Sequence, residues 1–112
     1  MKPTKELLCL VYMTVGSIKE AKQIGRILVK QNLVACVNIF ENMTSIYKWK
    51  DDLEEDGEVV MTAKTRKTHM PQLIKTVTEH HSYECPCILE LPIEGGNPEF
   101  LRWIETETDL TE

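Results

Sequence analysis

Long apolar runs and an excess of positive charge are both missing from this 112-residue sequence. No run approaches the ~20 residues that a membrane helix needs. The apolar stretch at residues 7–13 is followed by no small-residue cleavage site, so we expect neither a membrane partner nor a leader peptide. The chain has 13 Lys and Arg against 18 Asp and Glu, a net charge of -5, which argues against nucleic acid as a partner because a phosphate-binding protein needs a basic face. We therefore predict a cytoplasmic protein with reduced cysteines.

Motifs of the common enzyme classes are also missing. The sequence contains no Gly-x-Ser-x-Gly elbow, no glycine-rich phosphate loop and no His-Glu-x-x-His. Cys36 with a distant histidine could imitate a thiol nucleophile, but its neighbours Val34, Ala35 and Val37 are typical of a strand interior, where a thiol is inert. We therefore predict that the chain is not an enzyme.

The distribution of apolar residues predicts seven elements in the order β-α-β-β-α-β-α within a single domain at residues 1–112. Extended segments are expected at residues 7–14, 33–50, 53–67 and 85–93, and helices are expected to start near Ser17, Thr68 and Pro98. Two strand–helix units on either side of a hairpin imply an α+β fold: a ferredoxin-like βαββαβ sandwich with an antiparallel sheet, plus a short C-terminal helix.

The first two helices carry specific signals. Ser17 and Glu20 have the spacing of a capping box, in which each side chain bonds the other residue's backbone N–H, and Asn32 suits a left-handed stop. The second helix is expected to bury a stripe of four apolar residues spaced i, i+3, i+4 and i+7. These residues are Met70, Leu73, Ile74 and Val77.

The central hairpin is predicted to be unusually long. Its strands exceed the common ~5–6 residues, so it must bend, and Glu41-Asn42 is the expected position. The turn is expected at residues 50–52, because Asp tolerates turn conformations. Tyr47 and Trp49 share one face of this hairpin, and we predict that this aromatic face is buried against another subunit.

The octapeptide HHSYECPC, residues 80–87, concentrates possible metal ligands. His80 and His81 either cap the end of the second helix or bind a borderline metal such as copper or zinc, and the residues alone favour capping. Cys85 and Cys87 lie about 6.5–7 Å apart at Cα if the strand is regular, which disfavours a disulfide between them. They either pack as small apolar side chains or bind one soft ion together.

The segments together resemble the CutA family of divalent-cation tolerance proteins, from the first strand to Ile104. The resemblance rests on Ala35-Cys36-Val37-Asn38, Thr44-Ser45-Ile46-Tyr47 with Trp49, Glu58-Val59, Lys64-Thr65, and His81 with Tyr83-Glu84. It implies a PII-like homotrimer, in which the overlong hairpin pairs with a neighbouring subunit. It also implies binding of copper or another divalent cation, not required for folding, and a role in metal tolerance or signalling.

The resemblance also places the copper ligands. The family's histidine pair falls on His80 and His81, and its third ligand, a cysteine, falls on Met13, whose thioether is also soft. Cys87 stands where the family usually has Glu, so Met13, Cys85 and Cys87 remain open as further ligands. Two rival functions stay open as well. One is a trimeric interaction module that binds a protein or a small metabolite. The other is an acylphosphatase-like enzyme, whose glycine-rich phosphate loop is absent.

Overall fold

The computed structural model describes residues 6–110 and contains four strands and three α-helices. The elements are β1 (Leu8–Val15), α1 (Ile18–Lys30), β2 (Cys36–Trp49), β3 (Asp52–Arg66), α2 (Met70–His80), β4 (Ile88–Ile93) and α3 (Pro98–Glu107). All strand pairs are antiparallel, in the order β2-β3-β1-β4. This confirms the predicted α+β, ferredoxin-like arrangement. The predicted single domain also includes residues 1–5 and 111–112, which lie outside the described residues.

The core lies between the sheet and helices α1 and α2. Alternate residues of β1 point to the helices, as strand geometry requires, so one set is fully buried and the other faces the opposite side. The largest buried side chains of this core include Val11, Met13, Ile24, Leu28, Met61, Leu73 and Val77. A second, smaller cluster of Leu8, Ala35 and Ile104 lies on the other face of the sheet, where α3 covers one end. No helix within residues 6–110 is long and apolar enough to cross a bilayer.

Helix α1 begins and ends where the sequence predicts. The Ser17 hydroxyl accepts a 3.1 Å hydrogen bond from the Glu20 backbone N–H, which is one half of the predicted capping box. Asn32 ends the helix with a left-handed φ of 58°. The second half of the box differs from the prediction, because the Glu20 carboxylate accepts hydrogen bonds from Ser82.

The long hairpin is confirmed, with 14 residues in β2 and 15 in β3. Lys50 and Asp51 form the turn with positive φ values of 50° and 70°, the signature of a two-residue type I′ turn. A bulge between Phe40 and Met43, with Asn42 at φ 63°, bends β2 at the expected position. Strand β1 pairs with β3 only from Val59 to Arg66. In the described residues the part of β3 before Val59 therefore pairs with β2 alone, and this part of the hairpin projects from the sheet.

The predictions for α2 and for the last strand are each wrong in one detail. Ile74 is 42% exposed, while Thr76 is 4% exposed. Ile74 lies about 100° around the helix from Leu73, the centre of the buried stripe, and so falls outside it. The last strand starts at Ile88 and not at Cys85, which leaves Cys85 and Cys87 in an irregular connection. Pro86, which has no N–H to donate to a strand partner, lies between them.

Candidate functional site

The octapeptide belongs to a polar cluster that we call the seam, where the end of α2, the start of α1 and the base of the hairpin meet. Its members are Glu20, Ser45, Glu58, His80, His81, Ser82 and Tyr83. Helix α2 ends at His80, and the backbone of His81 is extended. This change of backbone conformation directs the two neighbouring imidazoles into different environments.

The side chain of His81 is buried, and both of its ring nitrogens are engaged. Its side chain is 0% exposed, and Nε2 lies 2.8 Å from the carbonyl oxygen of Thr14. A carbonyl can only accept, so Nε2 carries the proton. The Tyr83 backbone N–H donates to Nδ1 at 3.1 Å, which uses the remaining lone pair. His81 therefore connects β1 to the loop after α2, and in this conformation neither of its ring nitrogens is free for a metal ion.

His80 is exposed and has the complementary arrangement. Its Nδ1 lies 2.9 Å from the carbonyl oxygen of Thr76, one turn earlier in α2, so Nδ1 is the protonated nitrogen of the neutral ring. Nε2 forms no hydrogen bond with the part of the chain that the structure describes. A hydrogen bond that fixes the tautomer in this way is typical of metal-binding histidines.

Glu58 joins the seam to the hairpin, a connection that the sequence does not reveal. Its two carboxylate oxygens accept hydrogen bonds from the Tyr83 hydroxyl at 2.7 Å and from the Ser45 hydroxyl at 2.5 Å. Desolvation, followed by the hydrogen bond to Glu58, raises the pKa of Tyr83 well above its ordinary value. Tyr83 also packs against His81, with ring centroids 4.6 Å apart. The base of the hairpin and the loop after α2 are thus held together by one carboxylate.

The possible sulfur ligands lie in different environments. Cys85 is exposed and Cys87 is half-buried, and neither forms a disulfide. Met13, in contrast, is 0% exposed within the core, so its thioether is enclosed by apolar side chains. Cys36 is the first residue of β2 and is half-buried, so its predicted position in a strand interior is wrong. Its Sγ accepts a 3.6 Å hydrogen bond from Lys64 Nζ.

The described residues do not form a complete metal cage. Within residues 6–110, no group of three or more His, Cys, Asp or Glu side chains is arranged to hold an ion. The histidine pair does not fit a copper ion as two ligands in this conformation, because only His80 has a free nitrogen. The assignment of His80 and His81 as metal ligands therefore stays a prediction.

The predicted interface residues are on the projecting hairpin. Tyr47 and Trp49 pair with Glu54 and Asp52, and Trp49 is 60% exposed in the single chain. The Tyr47 hydroxyl donates to Asp56, and this hydrogen bond raises the pKa of Tyr47 to about 12. The burial of Tyr47 and Trp49 in a trimer stays a prediction.

Comparisons with known proteins give one result. The family model of the "CutA1 divalent ion tolerance protein" matches residues 9–107. The mouse relative "Protein CutA" is 42% identical over 98 residues, which is 88% of this chain and 55% of the relative. The Thermus thermophilus "Divalent-cation tolerance protein CutA" is 41% identical over 98 residues, 88% of this chain and 95% of the relative. The crystal structure of CutA1 from Oryza sativa superposes with a TM-score of 0.92 at 31% identity and covers 97% of this chain and 100% of that chain. This chain thus spans about half the length of the mouse relative.

Proposed function

The chain belongs to the CutA1 divalent ion tolerance family, and we propose that it binds copper or another divalent cation as a homotrimer and acts in metal tolerance or signalling. The metal is the cargo and not a group needed for folding. The family is named for tolerance and not for a reaction, which agrees with our proposal that the chain is not an enzyme. The four free cysteines support the cytoplasm as its compartment.

The tautomer of exposed His80 is the observation that carries the cation proposal. Its Nδ1–H is bound by the Thr76 carbonyl, so Nε2 is available for a borderline ion such as Cu(II). His81 becomes a second ligand only when the Tyr83 N–H releases its Nδ1. We therefore propose that His80 binds first and that His81 joins through a movement of the loop after α2.

The projecting hairpin supports the trimer. Large apolar side chains on it are left uncovered in the single chain, namely Phe40, Ile46, Trp49 and Leu53, which are 56%, 65%, 60% and 75% exposed. Phe40 and Trp49 face one side of the hairpin, and Ile46 and Leu53 face the other. We propose that neighbouring subunits of the trimer cover these side chains. The same observation favours the second candidate function, a trimeric module that presents a cleft to a protein or a small metabolite.

Calorimetric titration with Cu(II), Ni(II) and Zn(II) tests the cation proposal. We expect Cu(II) to bind most tightly at a nitrogen site, following the Irving–Williams order, and binding to weaken in acid because the ligand must be neutral imidazole. The double variant His80→Ala/His81→Ala should lose copper binding, while Cys85→Ser/Cys87→Ser should retain it. Undiminished copper affinity in the histidine variant would reject these ligands, and loss of binding only in the cysteine variant would assign the ion to the thiolates.

A further inference from the structure

A groove separate from the seam runs along the flank of α1. It is about 730 Å³ in volume and is bordered by α1, the first residues of β2 and Trp103 of α3. Pockets for small organic ligands are commonly ~300–1,000 Å³ in volume. The groove is therefore large enough for a ligand, and none of the seam residues lines it.

The wall of the groove is apolar. Val29 and Trp103 remain 43% and 39% exposed there, and Val37 and Ile39 of β2 contribute partly buried side chains. Val29 lies beside the buried stripe of α1, on the flank that faces β2, so the core does not cover it. The helix can lie close to the sheet because Gly25 has no side chain: a Cβ at this position would lie 3.3 Å from Val37 Cγ1.

Three cations border this apolar wall. Lys22, Arg26 and Lys30 are spaced four residues apart on α1, so they form one row along the groove. None of them forms a hydrogen bond or an ion pair with another residue in the described range 6–110. Acidic residues outnumber basic ones in the chain, 18 to 13, so a row of three unpaired cations beside apolar side chains is a local reversal of its charge.

We propose that this groove binds a single-chain carboxylate, a fatty-acid type of ligand with an apolar tail and one anionic head. The tail would lie over Val29 and Trp103, where it needs no hydrogen-bond partner. The carboxylate would be held by the row of cations, with the planar guanidinium of Arg26 able to bind both of its oxygens. A nucleotide fits less well, because the groove has no glycine-rich loop to cradle phosphates.

Trp103 makes the proposal directly measurable. The chain has 2 Trp, so Trp49→Phe leaves Trp103 as the only tryptophan, at the groove wall. In this background we expect decanoate, below its micelle concentration, to change the Trp103 emission in a saturable way. The triple variant Lys22→Gln/Arg26→Gln/Lys30→Gln should bind decanoate about tenfold more weakly, since each exposed charge contributes modestly.

A matched control removes three exposed lysines elsewhere. Lys19→Gln/Lys48→Gln/Lys75→Gln changes the net charge equally, and none of these residues lines the groove. This variant should bind decanoate as the Trp49→Phe protein does, and circular dichroism of both triple variants checks their folding.

Three outcomes would overturn the proposal. One is an equal loss of decanoate affinity in the two triple variants, because the change in net charge alone would then explain the weaker binding. Another is equally tight binding of decanol or decyltrimethylammonium, which would remove the role of the carboxylate. The third is charge-dependent binding to anionic phospholipid vesicles without any binding of decanoate, which would make the surface a membrane contact.

Discussion

The Tyr83 hydroxyl donates a 2.7 Å hydrogen bond to the carboxylate of Glu58, across 25 residues of sequence. This single contact joins the loop that carries the octapeptide to the strand from which the hairpin projects. Glu58 also accepts from Ser45 on the paired strand, so both strands of the hairpin are connected to the loop. The loop with the candidate metal ligands and the hairpin that is predicted to contact another subunit are therefore joined by hydrogen bonds within one chain.

Removal of this contact should lower stability by a measurable amount. Tyr83→Phe deletes the hydroxyl and keeps the ring against His81, so we expect a loss of about 1–2 kcal/mol, typical of a hydrogen bond to a charged group at a partly exposed site. Urea unfolding at a fixed protein concentration measures it. Tyr12→Phe is the control, because the Tyr12 hydroxyl forms no hydrogen bond with the residues described. An equal change in the two variants would contradict the role of Glu58.

Local signals in the sequence are sufficient for the elements that depend on local chemistry. Helix α1 is predictable because Ser17 caps its start and Asn32 can adopt the left-handed stop. The hairpin turn is predictable because Lys50-Asp51 lies between two extended runs and Asp accepts positive φ. In these regions sequence neighbours are also the structural neighbours.

The seam depends on contacts between distant residues, and the sequence does not specify them. His81 and His80 look equivalent in sequence, yet His81 bonds to Thr14, 67 residues away, and becomes buried. The diversion of Glu20 from its own helix cap to Ser82 spans 62 residues. The start of the last strand also depends on a distant contact, since pairing with β1 stops at Ile88 opposite Met13. Only the folded chain distinguishes the two imidazoles.

The bend in the hairpin should require a residue that accepts a left-handed backbone. Asn42 has a φ of 63°, which most L residues adopt at a cost of about 1–2 kcal/mol, while glycine adopts it freely. We expect Asn42→Ala to lower the unfolding free energy by about 1 kcal/mol and Asn42→Gly to leave it nearly unchanged. Thermal and urea unfolding of both variants provide the comparison, with the neighbouring Glu41→Ala as control. Equal stability of the alanine and glycine variants would contradict this prediction.

Truncation of Trp49 should weaken self-association without unfolding the subunit. In the single chain its ring is 60% exposed, with Lys50 Nζ 5.9 Å from the ring centroid, so the subunit loses little core packing. If the ring is buried against a neighbour, Trp49→Ala should cost about 3–5 kcal/mol at that contact. Sedimentation equilibrium compares it with Leu110→Ala, an exposed residue outside the hairpin. A wild-type chain that stays monomeric at micromolar concentration would contradict the trimer.

The four thiols should differ in reactivity. Burial, followed by the charge of Glu90, raises the pKa of Cys9 from 9.0 to about 11, so at pH 8 this thiol is protonated and inaccessible. Cys85 is exposed and should react first with iodoacetamide, while Cys36 and Cys87 are half-buried and should react more slowly. Peptide mapping by mass spectrometry measures the order, with labelling in denaturant as control. Rapid native labelling of Cys9 would contradict the described packing of β1.

The raised pKa of Cys9 also has a consequence for stability. The folded thiol holds its proton more tightly than the unfolded one. Its contribution to the free energy of unfolding is therefore complete below pH 9.0 and is lost as the pH rises towards about 11. Cys9→Ala should remove this part of the decrease in unfolding free energy at high pH. Unfolding curves measured between pH 8 and about pH 11 should therefore decline less steeply for the variant than for the wild type. Parallel curves would show that other groups dominate the alkaline range.

The two adjacent histidines should respond differently to single substitution. His80→Ala removes an exposed imidazole with a free Nε2, so copper affinity should fall while stability changes little. His81→Ala leaves the Thr14 carbonyl and the Tyr83 N–H without their partner, so stability should fall by about 1–3 kcal/mol for each group left unpaired. Copper affinity should change less in this variant than in His80→Ala. Calorimetry and urea unfolding on the same preparations measure both quantities.

His69 serves as the control for nonspecific imidazole binding. His69 lies at the start of α2, at the opposite end of the helix from His80, and its Nε2 is 2.6 Å from the carbonyl oxygen of Thr108. His69→Ala should therefore leave copper affinity unchanged. If His81→Ala lost as much copper affinity as His80→Ala while keeping its stability, His81 would bind the ion without any movement of the loop after α2, and the prediction would be wrong. Because both nitrogens of His81 are engaged and its side chain is buried, we expect the opposite pattern: His80 governs copper affinity and His81 governs stability.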